Sequence, residues 1–207
     1  MTENYLKYIV DEIHSAVMAT IDGSGRPITC AVDIMDYDEN SLYFVTAKGK
    51  DLYIRLKSNE NIAFTAIKGG SGLCRAAVSV CGKAKEIGTE RLENIFEKNQ
   101  YMKNIYPDKS SRNALRVFKI YEGTGEWFDL SKTPIERQSF SFGGAAESIS
   151  GYFVTDKCIG CKFCYSKCPQ KCIDITQKPV VIKQENCLRC GNCFDVCPVK
   201  AVERRNI

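Results

Sequence analysis

Apolar residues recur at helical spacing over residues 3–15, where Tyr5, Leu6, Ile9 and Ile13 predict a short amphipathic helix. Strand-like runs divided by turn signals follow. SAVMATI precedes the turn DGSGRP, ITCAVDIM follows it, and YDEN turns the chain into SLYFVTA, which makes two hairpins. KGKDLYIRLKSNEN (48–61) reads as a helix with Leu52 and Leu56 on its apolar side and Ile54 flanking it. NIAFTAI returns to strand, GGSG breaks it, and LCRAAVSVCGKAKEI supplies a longer strand or a bent pair. TERLENIFEKNQYMKNIY (89–106) predicts a second helix, with Thr89 as N-cap and Leu92, Ile95 and Phe96 on one face. ALRVFKIYEGTGEWFDL (114–130) reads as a hairpin or one long strand. SKTPIERQSFSFGGAAESISG (131–151) is dense in Ser, Gly and Pro with little periodicity, so it reads as a linker. The pattern predicts a mainly β fold with α additions: a small β-barrel over 1–130, the linker, and a small unit over 152–207.

That last unit carries the most specific chemistry. Cysteines stand at 158, 161, 164 and 168, and again at 187, 190, 193 and 197. Each set reads C-x₂-C-x₂-C-x₃-C-P, and the second repeats the first after 29 residues (187 − 158). Three thiolates two residues apart can wrap one corner of an iron–sulfur cube. The fourth lies too far along to close that loop, and the proline after it turns the chain away. A pair of Cys₄ zinc sites is the rival, but zinc knuckles come as two separated pairs rather than a triplet and a distant cysteine. Residues 152–203 resemble the bacterial two-cluster ferredoxins, small α+β domains in which the fourth cysteine of each motif ligates the other cluster. The resemblance implies one [4Fe–4S] cluster on Cys158, Cys161, Cys164 and Cys197. It implies a second on Cys187, Cys190, Cys193 and Cys168.

Composition adds bounds. With 207 residues, 44% hydrophobic and 26% charged, the chain has an ordinary globular make-up. The start, MTENYLKYIVDEIH, carries acids and no apolar core of a signal peptide. No apolar run approaches the roughly 20 residues of a membrane span. Twelve cysteines without such a signal point to metal ligation in a reducing cytoplasm rather than disulfides. Residues 150–207 hold 10 Lys and Arg against 5 Asp and Glu, whereas residues 1–149 hold 19 against 20. Compensation for anionic clusters and thiolates explains that excess, with a dock for an acidic partner as the other reading. Neither a basic stripe nor a stacking-aromatic motif speaks for nucleic acid. Of the four remaining cysteines, Cys172 stands where the second repeat has Ala201, which predicts buried packing. Cys30, Cys74 and Cys81 lie in expected strands and read as small core residues, Cys30 with a redox thiol as its rival. His14, the sole histidine, reads as a surface or capping residue.

The first part of the chain also resembles a family. MATIDGSGRPITCAVDIMDYDENSLYFVTAKGKDLYIRLKSNENIAFTA is similar to the pyridoxamine 5′-phosphate oxidase-like, FMN-binding split barrels. The matching stations are the turn DG-x-G-R-P, the strand LYFVT, the GK after it and the return L-x-x-N-x-x-I-A, within residues 10–130. The resemblance implies a homodimer with FMN at its interface and the flavin phosphate on donors from the third strand and the turn after it. Thr46, Lys48 and Lys50 occupy those places, though the two lysines alone read equally as a solvated turn. Arg26 leads the strand expected to pass the flavin ring, and Tyr53 is expected along the phosphate or ring. Phe140 and Phe142 are expected to pack on the linker surface, with a contact to barrel or flavin edge as the rival. The family's vitamer-phosphate recognition motif is not evident, which argues against a pyridoxamine phosphate oxidase proper. Clusters pass single electrons and FMN takes one or two, so the two halves predict a cytoplasmic iron–sulfur flavoprotein oxidoreductase with a small organic substrate and an external redox partner. The alternatives are an electron carrier without a substrate of its own, and a cofactor-storage or flavin-sensing module. No G-x-G-x-x-G fingerprint of a nicotinamide domain is present.

Overall fold

The computed structural model describes residues 4–69, 76–147 and 150–206. Helix α1 (Tyr5–Tyr8) starts at Asn4, whose Oδ1 accepts from the amide of Lys7 at 3.0 Å. A π-helical turn, Ile9–Ile13, extends it, and the two together bury Tyr5, Leu6 and Ile9. His14 ends the turn in a left-handed conformation (φ +68°), consistent with a capping role.

Seven strands follow: β1 (Ser15–Ile21), β2 (Pro27–Asp38), β3 (Ser41–Ala47), β4 (Asn61–Lys68), β5 (Ala76–Glu86), β6 (Leu115–Asp129) and β7 (Glu136–Phe142). Their order is β3-β2-β1-β4-β5-β6-β7. β3 also pairs antiparallel with β6, from Leu42 opposite Ile120 to Ala47 opposite Leu115. That pairing closes six strands into a barrel with β7 flanking β6, as in split barrels. Closure removes the unpaired edges that an open sheet would expose. Strand alternation fills the interior: Met18, Ile34, Leu42, Phe44, Val78, Phe118 and Ile120 are wholly buried, and Phe44 stacks on Phe118 with centroids 5.5 Å apart.

Helix α2 (Asp51–Ser58) connects β3 to β4. The single helix expected over 89–106 is instead two, α3 (Leu92–Lys98) and α4 (Met102–Ile105). The break falls at Asn99, whose buried amide donates to the carbonyls of Ile95 and Met35 and so competes with helix continuation. Leu92, Ile95, Phe96 and Met102 pack with Met35, Tyr43, Leu115 and Val117 into a second core on the outside of the barrel.

The expected linker is a further correction. Residues 136–142 form β7, and Phe142 is 6% exposed. Phe140 stacks on Tyr5 at 4.9 Å. Glycines on β6 make room for these rings: a Cβ at Gly125 would stand 2.3 Å from the Phe140 ring, and one at Gly123 2.7 Å from Phe142. Cys81 is exposed rather than in the core, because Val80 takes the inward place beside it, and Cys30 is half-buried. Cys74 lies outside the described residues.

The chain divides into two units. One comprises Met1–Lys68, Ala77–Gly125 and Phe140–Ala146; the other comprises Gly69–Ala76, Glu126–Ser139 and Glu147–Ile207. The division thus passes through β6 and β7. Within the second unit, β8 (Ser150–Val154) pairs antiparallel with β11 (Val202–Asn206), and β9 (Ile173–Asp174) with β10 (Val181–Ile182). Helices α5 (Phe163–Lys167) and α6 (Asn192–Asp195) complete a small ferredoxin-like unit.

Asp36 of β2 is the polar link between barrel and outer helices. It is fully buried beside a register shift in the β2–β3 ladder. Its Oδ2 accepts from Arg91 Nη2 at 2.9 Å and Asn94 Nδ2 at 3.0 Å, and its Oδ1 from Lys98. Asp36→Ala removes the shared anion of Arg91 and Lys98, which are 29% and 50% exposed and can turn to water, with Arg91 keeping Asp38, so a loss of about 1–3 kcal/mol is expected in urea unfolding. A loss below about 1 kcal/mol, the scale of a surface pair, would show that solvent replaces the carboxylate.

Candidate cofactor sites

The cysteine loops turn through left-handed backbone. Gly160 and Lys162 have φ of +75° and +64°, and their repeat mates Arg189 and Gly191 have φ of +56° and +85°. These bends curl each loop so that its sulfurs face inward, and amides point at them: Arg189 N donates to Cys187 Sγ at 3.3 Å and Ala201 N to Cys197 Sγ at 3.2 Å.

Two cavities result. One is lined by Cys158, Cys161, Cys164 and Cys197 with apolar neighbours such as Val154, Val180 and Val202. The other is lined by Cys168, Cys187, Cys190 and Cys193 with Tyr152, Ile173 and Ile182. Each cavity therefore collects three cysteines of one motif and the fourth of the other. Cys172, expected as buried packing, is buried and also lines the second cavity, its sulfur 3.5 Å from that of Cys168. Among the described residues no three His, Cys, Asp or Glu side chains converge on a point that would suit a single metal ion. Tetrahedral zinc needs sulfurs about 2.3 Å from one centre.

Burial pushes the Cys193 thiol up to about 12 and raises that of Cys164 as well. Cys187 runs the other way: the Cys172 thiol donates to it, and the Arg189 amide and the guanidiniums of Arg137 and Arg189 assist against burial. A bound metal deprotonates a coordinating thiol outright, so the raised thiols of Cys164 and Cys193 are compatible with ligation.

A second polar constellation lies at one end of the barrel interior. Along the β3–β6 pairing, Leu42 faces Ile120, Phe44 faces Phe118, and Thr46 faces Arg116. Thr46 is buried, and its hydroxyl has no hydrogen-bond partner among the described residues. Tyr53 of α2 meets Phe118 edge-on at 5.9 Å and donates to Glu86 at 3.0 Å. Glu86 also pairs with Lys57 at 2.9 Å and with Arg116 at 3.5 Å. Burial pushes its carboxyl up, but the Lys57 and Tyr53 donors outweigh that and hold it below its ordinary value. Arg55 donates to Thr20 Oγ1 at 2.7 Å. Burial raises the Cys30 thiol while the nearby cations of Arg55 and Lys50 pull it down, with burial prevailing.

Of the residues expected here, Thr46 and Tyr53 lie in this constellation, and Lys48 and Lys50 stand exposed in the turn that follows β3. Arg26 does not join them: it is exposed and bonds Asp22 of its own turn at 3.0 Å. Arg55, Lys57, Arg116 and Glu86 were not expected. The helical spacing of Arg55 and Lys57 from Leu52 and Leu56 carried the only signal, since Glu86 and Arg116 arrive through long-range pairing.

Residues 2–123 match the family profile described as pyridoxamine 5′-phosphate oxidase. The chain belongs to that family. Residues 157–201 match the 4Fe–4S dicluster domain, so this pyridoxamine 5′-phosphate oxidase-family barrel is joined in one chain to a dicluster domain. None of the curated proteins matches. Among solved structures, a NimC/NimA family protein of Clostridium acetobutylicum is similar at 16% identity and TM-score 0.53, over 64% of this chain and 88% of that one. A protein of the same organism related to general stress protein 26 is similar at 15% identity and TM-score 0.51, over 68% and 96%. A heme-binding protein of Mycobacterium smegmatis is similar at 13% identity and TM-score 0.52, over 67% of this chain and 56% of that one. At such identities the likeness concerns the fold. Among the described residues no helix is long and apolar enough to cross a membrane.

The crossing of the motifs has a direct consequence. Cys168 belongs to the first motif by sequence but lines the second cavity, with Cys172 close enough to stand in for it. With one cluster per cavity, as the function proposed below requires, Cys168→Ala combined with Cys172→Ala should lose about half the iron, all from the second cavity, whereas Cys164→Ala should empty the first. Iron and sulfide analysis with paramagnetic NMR reads this. Selective loss at the first cavity in the double variant would refute the crossing.

Proposed function

We propose that the protein is an iron–sulfur flavoprotein oxidoreductase that exchanges electrons between two [4Fe–4S] clusters and FMN and acts on a small organic substrate. The observation that carries this reading is the pair of cavities, each lined by four motif cysteines, in a chain whose other part is a pyridoxamine 5′-phosphate oxidase-family barrel. The donor sets fit the clusters: Cys158, Cys161, Cys164 and Cys197 would hold one, and Cys168, Cys187, Cys190 and Cys193 the other. The orphaned Thr46 hydroxyl fits the flavin phosphate, with Lys48 and Lys50 in the adjoining turn and Arg55 near Lys50 as cations. Tyr53 would pack along the flavin. Arg26, spent on Asp22, is left with no assigned contact.

When bound, clusters exchange single electrons and FMN one or two, with its N5 as the reactive atom. The chain's own work is binding, orientation and exclusion of water. Val154, Val180, Ile173 and Ile182 wall the cavities with hydrocarbon, and the amides of Arg189 and Ala201 fix two of the sulfurs. The homodimer belongs to the same reading. On the outer barrel face Val17 and Ile67 are 56% and 55% exposed, and Val17 neighbours Ala31 and Thr65 in register, so an uncharged patch is left for a second copy. Sedimentation of the intact chain should give twice 23.2 kDa.

Anaerobic stopped-flow reduction tests the function. Holoprotein should carry iron, sulfide and FMN, and flavin should reduce after rapid cluster reduction. The flavin rate should hold over a tenfold dilution; a rate falling with dilution would mean transfer between molecules, and no flavin reduction would defeat the reading. Thr46→Val gives a local check. Replacing an orphaned hydroxyl with a methyl group leaves flavin-free stability unchanged or raises it by about 1 kcal/mol. FMN affinity should fall by about 1.5–3 kcal/mol, the range for a hydrogen bond to a charged group. Unchanged FMN affinity would remove Thr46 from the site.

A further inference from the structure

Two guanidiniums and one carboxylate meet beside the second cavity. Arg137 of β7 donates from Nε to the carbonyl of Cys187 at 3.1 Å, and its Nη1 pairs with Glu126 of β6. Arg189, two residues past Cys187, pairs with the other oxygen of Glu126. The side chains of Arg137, Arg189 and Glu126 are 11%, 21% and 28% exposed. The segment that brings in Arg137 and Glu126 is pinned within the same unit: Ile135 N donates to Gln170 Oε1 at 3.0 Å, and Asn186 Nδ2 donates to the carbonyl of Ile135 at 2.9 Å. A net charge of +1 is thus held, mostly out of water, against the backbone of a cysteine that lines the cavity.

The first cavity differs at the matching place. Position 189 falls 29 residues after 160, and there the first repeat has Gly160. Both residues are left-handed, at φ +56° and +75°. The second loop therefore carries a long cationic side chain where glycine adopts the backbone freely. Two cations attend the first loop: Lys162 lines the cavity, and the Lys178 side chain passes 3.8 Å from where a Cβ at Gly160 would stand; both are exposed and so screened by water.

We infer that Arg137 and Arg189, aligned by Glu126, give the cluster at the second cavity a higher reduction potential than the one at the first, so that a single reducing equivalent rests there. The inference rests on the cofactor reading above. A cluster with its thiolates is anionic, and one-electron reduction by a low-potential donor adds negative charge without making or breaking a bond. Fixed positive charge in a poorly solvated setting stabilises the reduced form, because the Coulomb energy scales inversely with the local dielectric. Arg137 and Arg189 are positioning residues here. They reach the cluster through Cys187 and its loop.

The test is a redox titration of the anaerobic holoprotein, followed at the hyperfine-shifted β-protons of Cys158 and Cys187. In the wild type the Cys187 signals should titrate at the higher midpoint. Arg137→Gln and Arg189→Gln should each lower that midpoint and leave the Cys158 midpoint in place. Arg137→Lys, which keeps the charge, should stay near the wild type. Glu126→Gln removes the anion and should move the Cys187 midpoint upward, a change of sign that mere loosening of the loop would not produce. Full iron content with both midpoints unmoved, or both moved equally, would overturn this inference alone. Wild-type protein without iron and sulfide would overturn the cofactor reading and the inference with it.

Discussion

Antiparallel pairing of β8 with β11 closes the cysteine-rich unit, and both of its cavities depend on that closure. The ladder from Ser150 opposite Asn206 to Val154 opposite Val202 joins the beginning of the unit to its end. Thr155 continues the link, taking the carbonyl of Ala201 on both its amide and its hydroxyl. Cys197 is thereby carried back to Cys158, while the short β9–β10 pair folds the middle and leaves Cys168 with Cys187. Neither cavity can assemble from one motif alone, so each draws its sulfurs from both halves of the unit.

The barrel meets a different constraint. Its ring closes through β3 and β6, and that register alone decides which side chains share the interior. Hydrocarbon pairs fill the ladder until Thr46 and Arg116, where the interior turns polar. An unpaired hydroxyl beside a guanidinium and the Glu86 cluster costs stability in an otherwise apolar barrel. On the function proposed above, that polar end of the interior is where the chain would receive a group it does not itself supply.

Much of this was legible in the sequence because it rests on short-range periods. The x₃ spacing before proline separates the fourth cysteine from its triplet, and the cavities gather the cysteines in the interleaved sets that the two-cluster ferredoxin resemblance implies. Alternation over SAVMATI and LYFVTA placed β1 and β3. What failed depended on distant partners. ERQSFSF reads as a spacer because its aromatic residues have no apolar neighbours in sequence, yet Phe140 and Phe142 find their room over Gly125 and Gly123. TERLENIFEKNQYMKNIY keeps a helical pattern across Asn99, and only the carbonyl of Met35 on another strand shows why the helix stops. Cys81 was within reach, since strict alternation from Val80 turns it outward. The charges gathered on Glu86 and Glu126 were not, because each set joins residues from separate elements.

The Glu126 cluster also bears on what stability can explain. Taking two guanidiniums and a carboxylate out of water costs several kcal/mol per ion, and their mutual attraction repays that only in part, so well-packed apolar residues commonly serve as well or better. Arg189 adds a left-handed backbone, which costs a further 1–3 kcal/mol or so for a residue with a side chain. The carbonyl of Cys187 needs one donor, and an uncharged amide or hydroxyl would satisfy it. Arg137 also lies over the Phe128 ring at 4.4 Å, which gives its cation a packing role. Arg189 has no such ring contact among the described residues, and the matching loop makes its turn with Gly160. The charge of the two arginines is the property the inference above uses, and on that inference it would act through Cys187 on the group its sulfur holds.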